Sequence, residues 1–135
     1  PVPTPLISHD GPKAMLINGQ SSSGGDALPY YFRKLGLGPL IGTRTWGGLI
    51  GISGNPSLAD GGVILAPTFR FIDTEGQWAV ENEGVAPDIE VIDRPDLVAK
   101  GQDPSLERAV EVLMKALEDN PPPAFDVPPA PTDFR

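Results

Sequence analysis

The sequence predicts an α/β or α+β domain, and three observations carry that expectation. A short apolar run, "AMLIN" (Ala14 to Asn18), passes through a serine- and glycine-rich turn into an amphipathic stretch. A second apolar run, "PLIGTRT", follows it across "GLG". Downstream come alternating stretches, a last short strand and a strongly periodic helix. The resulting order is strand, helix, strand, hairpin, strand, helix, which belongs to mixed folds with helices packed on a sheet.

Each element has its own justification. "AMLIN" does not alternate, as suits a strand buried on both faces. Beyond Asp26 the period changes, and Leu28, Tyr31, Phe32 and Leu35 fall on one helical stripe. Arg33 and Lys34 suit the negative end of that helix, and Gly36 can close it. Pro29 lacks an N–H and is therefore expected near the first turn. "PLIGTRT" is the second strand, and "WGGLIGISGN" a glycine-rich loop. "GGVILAPTFRFID" and "QWAVEN" alternate as a hairpin across "TEGQ", and "DIEVI" is a final strand. "PSLERAVEVLMKALED" is the clearest helix, with Ser105 as its cap and Leu106, Val110, Val112, Leu113 and Leu117 on its apolar face.

Composition sets the outer limits. A chain of 135 residues with 39% apolar and 21% charged residues can bury one core. Nine of its 17 prolines gather at the two ends, in "PVPTP" and "NPPPAFDVPPAP", which divides the chain. Residues 1–12 form a Pro-rich opening segment, 13–120 the folded body and 121–135 a Pro-rich tail. A net charge of −8 without a basic run argues against nucleic acid and anionic membranes as partners. The absence of cysteine removes thiol nucleophiles and thiolate metal sites. No apolar run reaches membrane-spanning length, and no signal-like segment is present. The chain opens on proline rather than methionine, as a processed product or an excised piece would.

The turn "GQSSSGGDAL" is where chemistry is expected. If Ser23 precedes the helix, it stands beside free backbone N–H groups that can stabilise an oxyanion. Gly24 and Gly25 allow close backbone approach. The local residues leave two readings open. Ser23 either caps the helix, with Asp26 completing a capping-box arrangement, or acts as a nucleophile. The Gly-x-Ser-x-Gly elbow pattern is not met at any of the three serines, and no lysine follows the glycines as a phosphate loop requires.

Longer blocks narrow the choice. "LINGQSSSGGDALPYYFRKLGLGPLIGTRTWGGLIGISG", followed by "VENEGVAPDIEV", resembles the C-terminal catalytic subdomain of tricorn-type serine proteases, which group with the tail-specific (C-terminal processing) peptidases. The resemblance spans roughly residues 12 to 120. It implies a crotonase-like or ClpP-like fold. It also implies Ser23 as nucleophile, the Gly24 N–H as one arm of the oxyanion hole and Glu81 as the organising glutamate, with Glu83 its nearby competitor. Gly24 departs from the aspartate of the tricorn archetype, although a backbone donor survives the change. The substrate pocket would fall near Leu49, Ile52 and Phe71.

The resemblance also bears on the general base. In the C-terminal processing peptidases a lysine serves, and Gly48 stands in its place here. The tricorn branch uses a histidine. The single histidine, His9, precedes the first strand and is expected at the end of the sheet away from the serine turn. The base and the second oxyanion donor are therefore expected from an upstream segment that this chain lacks, leaving it nearly inactive alone. The implied substrate is a peptide or unfolded protein, and the implied partners are the remaining domains of a parent protease. A homo-oligomer is expected as well, because a subdomain exposes faces that its neighbours would cover. No cofactor or metal is expected, and the expected compartment is cytoplasmic, or periplasmic if the parent carries a signal. The alternative function is a non-catalytic crotonase-like module for binding or oligomerisation. An acyl-CoA-handling relative is a third and weaker alternative.

Overall fold

The computed structural model describes residues 11–121 together with His9 and Pro129. The Pro-rich opening segment and tail otherwise lie outside the described residues. Three short parallel strands form one sheet in the order β1 (Met15–Ile17), β2 (Leu40–Gly42), β3 (Ile89–Glu90). Met15 pairs with Leu40 and Ile17 with Gly42, while Ile41 pairs with Ile89. Because side chains alternate along a strand, Met15, Ile17 and Leu40 share one face, and Leu16 and Ile41 the other.

The first face carries the main core. Ile17 and Leu40 cluster there with Phe32 of helix α1 (Gly24–Lys34) and with Val80 and Val85. The second face receives α3 (Pro104–Asp119), which contacts β1 and β2 and buries Ala109. A short helix, α2 (Pro95–Val98), precedes α3 and has no counterpart in the sequence reading.

β1 is not buried on both faces as expected. It is an edge strand, and Leu16 keeps 43% of its surface in solvent.

The expected stripe of α1 is also rotated. Leu28 (61% exposed), Tyr31 and Leu35 (69% exposed) point outward, while Asp26, Pro29 and Phe32 are buried. Periodicity finds an apolar stripe, but the surface that packs against the helix decides which face is buried. Here that surface meets the helix along Asp26 and Phe32. Pro29 accordingly sits inside the helix, one turn later than expected.

Helix α3 differs at its start. Asp103, not Ser105, is the cap, and its carboxylate accepts the Leu106 N–H at 3.0 Å. Ser105 is buried in the first turn, where its N–H donates to Asp93 Oδ1 at 2.9 Å. Pro104 takes the first helical position, which moves the cap one residue ahead of it. Leu106 and Val110 are exposed, so the apolar face is narrower than the sequence suggested.

Between β2 and β3 the chain forms an irregular arm rather than a full hairpin. Antiparallel pairing is limited to Gly51 with Phe69, Ser57 with Val63 and Ile72 with Trp78. The turn across "TEGQ" does form, since the Asp73 N–H donates to the Gln77 carbonyl at 2.9 Å. Phe71 docks the arm on α1 through edge-on contacts with Tyr30 and Tyr31. Lys34 adds a 2.6 Å hydrogen bond to Thr74.

Candidate active site

The turn from β1 into α1 is tied at each step, so it is no linker. The Gln20 N–H donates to Asn18 Oδ1 (2.9 Å), and the Ser21 N–H to the Asn18 carbonyl (2.9 Å). The Ser21 carbonyl in turn accepts the Trp46 N–H (2.9 Å), fastening the turn to the segment after β2.

Ser23 ends the turn as the residue before α1, and it is exposed. Its backbone lies at φ 54°, ψ −107°, a region that a residue with a Cβ rarely visits. Ser23 and Asp26 form a capping box, and the N–H of Asp26 also donates to the Ser23 backbone carbonyl at 2.9 Å. The reciprocal half of the capping box holds, because the Ser23 N–H donates to Asp26 Oδ2 at 2.8 Å. Ser23 and Asp26 thus close the helix start together, and Ser23 remains exposed beside it.

Asp26 is fully buried. Besides the Ser23 N–H, its carboxylate accepts the N–H groups of Gly47 (2.8 Å) and Gly48 (3.2 Å). Glu81 treats the next two residues alike, accepting from Leu49 (2.6 Å) and Ile50 (2.7 Å) through Oε2. Four successive amides, 47 to 50, are thus held by two carboxylates. Carboxylate acceptors form the stronger class of hydrogen bond, so this stretch is a rigid wall. Close backbone crossing is part of the fit. Gly47 has φ 83°, and a Cβ there would lie 2.5 Å from the Gly84 nitrogen.

Glu81 is held in its own strained loop. Val80 (φ 71°) and Asn82 (φ 62°) flank it, and with Ser23 they are the non-glycine residues at positive φ among the described residues. The loop is fixed by Gly84 N–H to the Val80 carbonyl (2.7 Å) and Asn82 N–H to the Gly47 carbonyl (2.7 Å). Such conformations persist only where surrounding contacts over-determine them, and here one is Ser23 itself and the other two flank Glu81.

Ser23 and Glu81 open onto the same cavity, of about 280 Å³, with Trp46, Gly48, Ile50 and Ile52. Of the predicted substrate residues, Ile52 lines it. Leu49 and Phe71 pack on the hydrophobic core instead. Glu83 does not border it; its carbonyl accepts from Arg44 (3.0 Å). Trp46 and Ile50 were not singled out by sequence, although Trp46 stands two residues from Gly48 in the quoted block. A larger groove of about 570 Å³, lined by Ile50, Phe69 and Trp78 among others, reaches neither Ser23 nor Glu81.

Neither histidine nor lysine lines the Ser23 cavity among the described residues. His9 is exposed ahead of β1, with its ring over Gly11. At Gly48 a Cβ would fall within the Trp46 ring. The described residues hold no cluster of three or more side chains suited to a metal. No helix among them is long and apolar enough to cross a membrane.

A serine at a strand-to-helix turn, sharing a cavity with a fixed glutamate, is an arrangement suited to serine peptidases. Residues 4–91 match the family model of peptidase family S41, and the chain belongs to that family. It is 41% identical over 121 residues to tricorn protease homolog 1 of Streptomyces coelicolor, covering 90% of this chain and 11% of that protein. The crystal structure of the tricorn protease superposes with a TM-score of 0.80 at 40% identity, over 87% of this chain and 11% of that one. The photosystem II D1 C-terminal processing protease shares the fold, with a TM-score of 0.51 at 24% identity over 74% of this chain and 24% of that one. The chain thus spans about a tenth of the length of the tricorn relatives it matches.

Proposed function

We propose that this chain carries the nucleophile half of a tricorn-like serine endopeptidase site, on the core of a crotonase-like or ClpP-like unit. Ser23 Oγ attacks a peptide carbonyl carbon while its proton passes to a histidine supplied by another segment. The oxyanion is received by the Gly24 N–H at the start of α1, where helical amides lack intrahelical partners. Collapse of the tetrahedral intermediate breaks the C–N bond, the amine leaves with the proton, and water later hydrolyses the Ser23 ester. Glu81 uses Oε2 to brace the wall at Leu49 and Ile50. Its other oxygen is left to orient the missing base half. Ile52, with Trp46 and Ile50, forms the apolar side of the substrate site, while Leu49 and Phe71 support it from the core.

The observation that carries this reading is the exposed Ser23, held in a strained backbone conformation at the mouth of the cavity shared with Glu81. Grafting the chain into the Streptomyces coelicolor homolog, in place of the matched 121 residues, tests it. The hybrid is expected to cleave peptides, and Ser23→Ala to abolish cleavage. The isolated chain is expected to react only slowly with a fluorophosphonate probe, because an unactivated hydroxyl is a poor nucleophile. Rapid stoichiometric labelling of the chain alone would defeat the claim of an incomplete site. The lack of a histidine or lysine among the described residues of the cavity also favours a second reading, a binding module that keeps the fold without catalysis. An inert hybrid with intact folding would select that reading.

A further inference from the structure

We propose that Asp26 is a positioning residue for Ser23, whose buried carboxylate sets the nucleophile turn and fixes it to the cavity wall. The proposal rests on the reading of Ser23 as nucleophile. A fully buried carboxylate is costly unless its oxygens are satisfied, and no cation among the described residues satisfies this one. Three backbone amides do so instead. One belongs to Ser23, and the other two belong to Gly47 and Gly48, across the turn from the helix. A local cap would need only the first of these. The two remaining bonds join parts of the chain that are 21 and 22 residues apart, so the role is tertiary.

The consequence for chemistry lies in the backbone of Ser23. At φ 54° this residue would relax toward the ordinary helical or extended region if it were not held. Relaxation would turn the Cα–Cβ bond, and with it Oγ. The same rotation would re-aim the Gly24 N–H, so nucleophile and oxyanion donor would be misplaced together. Asp26 holds both by fixing one N–H. Through Gly47 and Gly48 it also keeps the turn at a set distance from the wall that Glu81 completes.

Through-hydrogen-bond NMR couplings in the unmodified full chain test the assignment without a variant. Ser23, Gly47 and Gly48 amide nitrogens are each expected to couple to the carboxyl carbon of Asp26. A missing Ser23 coupling overturns the proposal. Asp26→Asn is expected to speed amide exchange at Ser23 by roughly 10- to 100-fold, the loss of one charge-assisted bond. In the hybrid protease the same change is expected to lower kcat with little effect on KM, because it moves reacting atoms rather than substrate contacts. Full kcat retained, or unchanged exchange at Ser23, overturns the proposal. Should Asp26→Asn fail to fold, the couplings decide. A hybrid that still cleaves as Ser23→Ala defeats the nucleophile reading and the proposal with it. Such a failure is distinguishable, because the Asp26 couplings would be intact.

Discussion

The Trp46 indole lies across Gly48, on the side where any side chain at position 48 would have to stand. Both residues border the Ser23 cavity. Position 48 is where the resemblance places the lysine of the C-terminal processing peptidases, so the indole takes the space in which that base would stand.

Gly48→Lys is therefore expected to displace the indole rather than to add a working base. The indole is 66% exposed and can swing away, so the cost should be about 1 kcal/mol, at the low end for overpacking. Trp46 fluorescence, followed in a Trp78→Phe background, should shift, and adding Trp46→Ala should restore stability. Unchanged emission and unchanged stability in Gly48→Lys would show that the two side chains do not compete.

Ser23 stores backbone strain that glycine would release. Ser23→Gly is expected to be about 1 kcal/mol more stable than Ser23→Ala, since both lack the hydroxyl and only alanine keeps the Cβ at φ 54°. Urea denaturation of the pair measures the difference directly. Equal stability would place the turn in a relaxed conformation.

Glu81 holds the Leu49 and Ile50 amides, and removal of its carboxylate leaves two donors without their acceptor. Glu81→Ala is expected to cost about 2 kcal/mol, and Glu81→Gln, which keeps one oxygen, about half as much. Amide exchange at Leu49 and Ile50 should rise in the same order. A larger loss in the glutamine variant would point to an interaction other than these two bonds.

Self-association is expected from the outward apolar residues. Leu28 on α1 and Leu35 at its C-terminal cap, with Ile64, Leu65 and Trp78 on the arm, are all more than half exposed. Sedimentation should show mass rising with concentration, more so at high salt, where the repulsion between chains of net charge −8 is screened. Leu28→Glu combined with Leu35→Glu should reduce it. A clean monomer at high concentration would count against association.

Part of the candidate site was legible in the sequence. The "GQSSSGGD" turn marked a strand-to-helix junction, and the blocks around it singled out Ser23, Gly24 and Glu81 by resemblance. The structure brings Ser23 and Glu81 to one cavity. Burial was less legible. Leu28 and Leu35 satisfy the helical period as well as Phe32 does, yet only Phe32 reaches the core. The cap of α3 was missed because Asp103 and Ser105 are both good cap residues, and only the position of Pro104 separates them.

By itself the sequence determined the strand, turn, helix and strand that open the fold, and by resemblance it pointed to Ser23, because these follow from local patterns and contiguous motifs. Tertiary structure alone decided what Asp26 does. Read locally, it is the acidic member of a capping box. Folded, it is a buried carboxylate that draws in amides from beyond β2. The reason is physical. A buried charge must find donors wherever the fold supplies them, and local sequence does not encode which distant backbone will pass close enough to provide them.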